Sequence, residues 1–199
     1  DFIALHGQTI WHEPPAVTWQ LGEPAVLAEA FGVRVVSNFR TRDLAAGGQA
    51  APLVPMADVL LFGGEQPRVL LNIGGMANCT YVPRRAEEAG AFAFDTGPGM
   101  AVIDAIAELL DPSLHSDLDG RLAAAGTPND VVLGRLLADP FFAAPPPRST
   151  GRERFGTGYA AKLHLEAPGP DGIATAVELT ARTIADAIRC WMPEATEVV

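Results

Sequence analysis

The chain has 199 residues, 48% of them hydrophobic and 19% charged, which is enough apolar surface for one ordinary core or two small ones and excludes global disorder. With 14 Lys+Arg against 24 Asp+Glu, a net charge of −10 and no basic run, it lacks the basic face that nonspecific nucleic-acid or anionic-membrane binding needs. Cys79 and Cys190 stand apart without metal spacing, so neither a disulfide framework nor a zinc site is signalled. No 18-residue apolar stretch spans a bilayer and no signal-peptide pattern is present, so the reading is a cytoplasmic soluble protein.

In chain order, Phe2 to Leu5 is an apolar run that predicts a buried strand ending at His6-Gly7. Val17 to Leu21 alternates as a strand. Pro24 followed by Ala25 to Phe31, with Gly32 behind, predicts a short helix. Val33 to Val36 predicts a strand, and Gly47-Gly48-Gln49 with Pro52 and Pro55 predicts a loop. Arg68 to Ile73 and Cys79 to Val82 predict two strands joined through Gly74-Gly75. Phe92 to Phe94 predicts a third strand that ends at Asp95-Thr96-Gly97-Pro98-Gly99.

The second half changes character. Met100 to Leu110 carries a helical apolar stripe. Asp119 to Ala125 and Asp130 to Leu137 predict short helices. Pro145-Pro146-Pro147 predicts a rigid break, and Asp171 to Trp191 the longest helix. Strands first and helices after predict two lobes, 1–98 and 99–199, with a seam near 97–102. The strand patterns at both ends suggest a piece of a longer protein. Trp11, Trp19 and Trp191 are expected in the core or lining a cleft.

Four clusters pair glycine with polar side chains at apparent strand ends: His6 to Thr9, Arg40 to Gln49, Asn72 to Gly75, and Asp95 to Gly99. Glycine lets a backbone approach a ligand, and N–H groups in such turns can cradle phosphate. Each alone is more often a plain turn, but ligand sites favour the carboxyl ends of sheet strands. Asp95 is the sharpest single residue. At a strand end its carboxylate can take a proton from a hydroxyl nucleophile or hold a metal ion, or simply cap the next helix. Pro147 to Glu153 is dense in hydrogen-bond donors suited to an anion or a sugar, or is a solvated loop. Neither a P-loop nor a G-x-S-x-G elbow occurs.

Seven segments then occur in a telling order: Leu5-His6-Gly7-Gln8-Thr9-Ile10-Trp11-His12-Glu13-Pro14, Gln20-Leu21-Gly22-Glu23-Pro24-Ala25, Ser37-Asn38-Phe39-Arg40-Thr41-Arg42-Asp43, Ala45 to Pro55 with Gly47-Gly48-Gln49, Leu71-Asn72-Ile73-Gly74-Gly75-Met76-Ala77-Asn78, Phe94-Asp95-Thr96-Gly97-Pro98-Gly99, and Ser149-Thr150-Gly151-Arg152-Glu153. Together they resemble the anhydro-N-acetylmuramic acid kinase family from residue 1 to 199.

The resemblance implies an α/β fold of the sugar kinase/Hsp70/actin superfamily, two ribonuclease H-like lobes around an ATP cleft, incomplete here at both ends. It implies ATP with Mg²⁺, a small sugar substrate, no nucleic acid and no membrane, and suggests a homodimer. The implied reaction opens the 1,6-anhydro ring of 1,6-anhydro-N-acetylmuramic acid with water and phosphorylates O6, in cell-wall recycling. Asp95 matches the family's catalytic aspartate. Asn72, Gly74 and Gly75 resemble a phosphate loop, with Gly97 and Gly99 beside it. His6, Gly7, Gln8, Thr9, Arg40, Asp43 and Gln49 match sugar-cleft segments, and an arginine is expected to take the lactyl carboxylate. No resident metal ligands are expected.

Three residues depart from the family pattern: Met100 where Asn is usual, Arg148 for Lys, and Ala50 for Gly. The phosphate loop expected before residue 1 and the adenosine loop expected after Val199 are not in the chain. On that ground the isolated chain is expected to be inactive. A noncatalytic sugar-binding relic and a kinase for another small sugar are the alternatives.

Overall fold

The computed structural model describes residues 1–85 and 90–199 and divides into two compact units, Asp1–Leu53 and Val54–Val199. The seam expected near 97–102 falls inside the second unit, where a strand runs directly into a helix.

In the first unit, β1 (Phe2–Ala4) pairs in parallel with β4 (Arg34–Val36). Between them lie an antiparallel hairpin, β2 (Gln8–Glu13) with β3 (Val17–Leu21), and helix α1 (Pro24–Phe31). The helix forms where the sequence predicts it. The Glu23 carboxylate caps Ala25 N–H at 3.0 Å, proline occupies the first turn, and Gly32 closes the end at φ 62°. α2 (Phe39–Ala45) follows β4. Strand β2 forms where the sequence marked no element, and Trp11 and Trp19 were expected in the core or lining a cleft. Instead the two tryptophans pair across the hairpin and stay 50% and 56% exposed. The β-branched and aromatic residues of 9–11 suit a strand even beside glycine.

The second unit begins with α3 (Pro55–Phe62), a helix the sequence did not mark; Pro55, expected in a loop, starts it, as proline at the first position does. A four-stranded sheet follows, in the order β7 (Phe92–Pro98), β6 (Met76–Val82), β5 (Arg68–Ile73), β8 (Glu197–Val198). The first three are antiparallel neighbours, and β8 joins β5 in parallel with Arg68 bonded to Glu197 at 2.8 Å. Helices α4 (Met100–Leu110), α5 (Arg121–Ala124), α6 (Asp130–Leu137), α7 (Pro140–Ala143), α8 (Thr157–Glu166) and α9 (Pro170–Trp191) complete it.

Two apolar clusters hold this unit together. Ile103, Ile106, Val132, Phe155, Leu163 and Ile173 join α4, α6, α8 and α9. Val69, Cys79, Phe94, Ala187 and Met192 join the sheet to α9. Burial pushes the Cys79 thiol up to about 12, which keeps it protonated and inert. No helix among the described residues is long and apolar enough to cross a membrane.

Candidate active site

β7 does not stop before Asp95 but continues to Pro98. Its pairing with β6 shifts register between Ala77 and Asn78, so Asn78 faces Asp95 while Ala77 faces Gly97. The extra residue, Thr96, is fully buried and donates its hydroxyl to the Ala77 carbonyl at 3.1 Å. Such a bulge re-aims neighbouring side chains. Gly97, at φ 154°, lies where an added Cβ would meet the Phe142 ring at 2.8 Å, so the strand packs closely only as glycine.

Register brings three polar residues into one row. Asn72 on β5 is opposite Asn78 on β6, which is opposite Asp95 on β7. Phe94 and Cys79 pack toward α9, so alternation puts the row on the other sheet face. Asn78 had no separate mark in the sequence; only the register singles it out.

Asp95 is 5% exposed and is held by residues 148–150. Its N–H donates to the Arg148 carbonyl at 3.0 Å, its carbonyl accepts from Arg148 Nε at 3.0 Å, and its Oδ2 accepts Thr150 N–H at 2.8 Å. The capping alternative does not hold, because Gly99 occupies the N-cap of α4. Arg148 is itself buried, 7% exposed. Its Nη1 donates to the carbonyls of Phe142 at 2.8 Å and Ala144 at 2.5 Å, and its guanidinium lies 5.0 Å from the ring centres of Phe94 and Phe141. Burial pulls the arginine below its ordinary range, and the charge of Asp95 opposes that shift. Beside this bracket, the Ser149 and Thr150 hydroxyls are buried with no hydrogen-bond partner among the described residues. Buried polar groups are normally satisfied, so these two mark a place for a ligand or water.

The Asn72 to Gly75 turn is engaged differently from expectation. Gly99 and Ala101 donate their N–H groups to the Gly75 carbonyl at 3.0 and 3.1 Å, and Met100 donates to the Gly74 carbonyl at 2.8 Å. The turn therefore clasps the start of α4 through its carbonyls, and these three amides are already used. Gly74 N–H is also taken, by the Met76 carbonyl at 3.1 Å.

In the first unit the residues expected in a sugar cleft lie just before β2, on β2, on α2 and just after α2, and several of them are hydrogen-bonded together. Arg40 donates Nε to His6 Nε2 at 2.8 Å and Nη1 to the Ala50 carbonyl. An accepting Nε2 leaves the ring proton on Nδ1, which points to the Gly7 carbonyl at 2.7 Å. The Asp43 carboxylate accepts Ala50 N–H at 2.7 Å, and Gly48 lies so close to it that a Cβ would collide. Arg40 and Asp43 thus shape the segment that carries Gln49. Gln8 and Thr9 lie on β2, where Thr9 Oγ1 accepts from Gln20 at 3.3 Å.

The profile of the anhydro-N-acetylmuramic acid kinase family matches residues 1–199. The chain belongs to that family. Relatives named anhydro-N-acetylmuramic acid kinase include one from Acidithiobacillus ferrooxidans, 46% identical over 205 residues, covering 100% of this chain and 52% of its own length. One from Streptomyces avermitilis is 47% identical over 208 residues, covering 100% of this chain and 52% of its own. One from Gloeobacter violaceus is 45% identical, covering 99% and 54%. The chain spans about half the length of these relatives. Its mixed α/β architecture is the sugar-kinase/actin-like fold of the family.

The three residues expected to depart from the family pattern have distinct local settings. Residue 100 contributes its backbone N–H, while the Met100 side chain is 36% exposed. Arg148 reaches three carbonyls through two nitrogens, a fork that a lysine ammonium does not reproduce. Ala50 holds φ 58°, a conformation easier for glycine, and stays fully buried.

Proposed function

We propose that this chain carries the sugar site, one phosphate-side turn and the general base of an anhydro-N-acetylmuramic acid kinase. The observation that carries the reading is Asp95, a buried residue whose backbone is bracketed by Arg148 and whose carboxylate accepts Thr150 N–H, beside two unpartnered hydroxyls, in a chain of that family. A phosphotransferase needs alignment above all, and a carboxylate fixed on a strand supplies it.

In the proposed reaction Asp95 takes a proton from water as its oxygen bonds to the anomeric carbon. The bond from that carbon to O6 breaks, O6 bonds to the γ-phosphorus of ATP, and ADP leaves. The product is N-acetylmuramic acid 6-phosphate. A positioned base of this kind contributes about 10²–10⁴ in rate. Asn72, Gly74, Gly75, Gly97 and Gly99, in the second unit, are assigned to the nucleotide. His6, Gly7, Gln8, Thr9, Arg40, Asp43 and Gln49, in the first unit, are assigned to the sugar. Mg²⁺ would arrive with the nucleotide, because it binds through phosphates, water and one or two carboxylates. The setting is cytoplasmic cell-wall recycling, and the assembly a homodimer.

The test grafts residues 1–199 in place of the matching half of the Streptomyces avermitilis relative and follows phosphate transfer from ATP. Turnover is expected with the anhydro sugar and not with N-acetylglucosamine or N-acetylmuramic acid. Asp95→Asn should lower kcat by about 10² or more with sugar affinity nearly unchanged. A folded graft that prefers a sugar without the anhydro bridge sinks the substrate assignment, and Asp95→Asn activity within about tenfold of the parent, roughly 1.4 kcal/mol, sinks the base.

A further inference from the structure

Among the described residues of the second unit, every arginine but one meets a carboxylate or, for Arg148, backbone carbonyls. The exception is Arg152. Its guanidinium lies over the Gly74-Gly75 turn, with Nε and Nη2 both 3.6 Å from where a Cβ on Gly75 would stand.

The backbone beneath it is fixed although the side chain is exposed. Arg154 and Phe155 donate their N–H groups to the Gly151 carbonyl at 3.1 and 3.0 Å, and Phe155 is fully buried. Gly156 sits against the Arg152 carbonyl, where no Cβ fits. The cation is thus carried on a rigid base, which lowers the ordering needed to bind.

The turn below it has few backbone donors to spare for phosphate. The amides of Gly99, Met100 and Ala101 at the start of α4, and of Gly74, already bond to carbonyls. A side-chain cation beside Gly75 would supply what those amides do not. Three and two residues upstream on the same loop, the Ser149 and Thr150 hydroxyls lack partners among the described residues. Asp104 on α4 feels the charge of Arg152 without forming an ion pair with it.

We propose that Arg152, over the Gly74-Gly75 turn, binds a phosphoryl oxyanion, the transferred end of a nucleoside triphosphate. This deepens the kinase reading and rests on it only for the identity of the anion. Guanidinium suits the task because its planar donors meet two phosphoryl oxygens at once. The net charge of −10 repels anions from the molecule as a whole, so capture depends on this local cation.

The experiment titrates the 199-residue chain with tripolyphosphate at low salt, observing Gly75 N–H and Arg152 Nε–H by NMR. Both signals should shift, and Arg152→Gln should weaken binding at least about tenfold, or 1.4 kcal/mol. Arg121→Gln, which removes the same charge from an exposed pair with Asp119, should leave binding within about threefold of the parent, or 0.65 kcal/mol. Lactate, the carboxylate arm, should bind more weakly than tripolyphosphate. Shifts absent from Gly75, equal losses in the two variants, or tighter lactate binding each overturn the proposal. Shifts that persist while the graft shows no turnover support Arg152 and count against the kinase reading instead.

Discussion

Asp95 is positioned by residues 53 and 55 places away in the chain, Arg148 and Thr150. Arg148 never touches the reacting atoms in this reading; it is a positioning residue. In the active graft, Arg148→Met should lower kcat by about tenfold or more, 1.4 kcal/mol, with KM for the sugar little changed, and Arg148→Lys should recover part of it. A fall confined to KM, or no rescue by lysine in a folded variant, would make the role merely structural. Asp104 allows a pH test. Burial raises its pKa, with Arg152 opposing, so its folded pKa lies above its unfolded one. The protonated form is favoured by folding, and stability is lost as pH rises through the folded value. Asp104→Asn should therefore raise the Tm at pH 7, with the difference vanishing below about pH 4. A lower Tm for the variant at pH 7 would mean that attraction to Arg152 outweighs desolvation. Asp95 was legible in the sequence because a carboxylate after an apolar run and before Gly-Pro-Gly is unusual. Asn78 and Arg148 were not, since register and a distant loop define their roles.

Among the elements, the clasp between the β5–β6 turn and α4 is the most constrained. A Cβ on Gly99 would run into the Gly74 carbonyl oxygen, which is backbone and cannot swing aside. Gly99→Ala should destabilise the second unit by about 1–3 kcal/mol, the usual range for overpacking, and denaturant unfolding would measure it. A neutral result would show that the turn and helix separate easily. The hairpin of β5 and β6 was readable because β-branched runs flank a glycine pair. α4 was readable from Val102, Ile103, Ile106, Leu109 and Leu110, and the structure starts and ends it where the stripe does. α3, α7 and α8 were not. Pro55 reads as a loop residue until its place at a first helical turn is known, and Pro140 starts a four-residue helix too short to show a stripe. α8 buries only Ala160 and Leu163, too few to mark a stripe.

Over the whole chain the interior is uneven. Both apolar clusters lie in the second unit, while in the first unit only Thr18 and Ala50 are buried among the described residues. Local stability follows buried apolar contact, so amides of 1–53 should exchange with solvent before those of 54–199. Uniform protection would refute this. Phe155 contacts the rings of Phe141, Phe142 and Tyr159; Phe155→Ala should cost the second unit about 3–5 kcal/mol, seen as a lower melting transition. A loss under about 1 kcal/mol would mean that the ring cluster relaxes around the gap. The sequence by itself determined the family and the helix-rich character of the second half, and it singled out Asp95 as a candidate, because these rest on local patterning and on motifs whose residues are chain neighbours. The strands-first order did not hold, since α1, α2 and α3 precede β5 and β8 follows α9. Only the tertiary structure decided that Asn72, Asn78 and Asp95 form one row, that Arg148 brackets Asp95, and that the glycine turn grips a helix through its carbonyls. Those facts depend on strand register and on contacts between residues far apart in the chain, and a one-residue shift in pairing would turn each side chain to the opposite face.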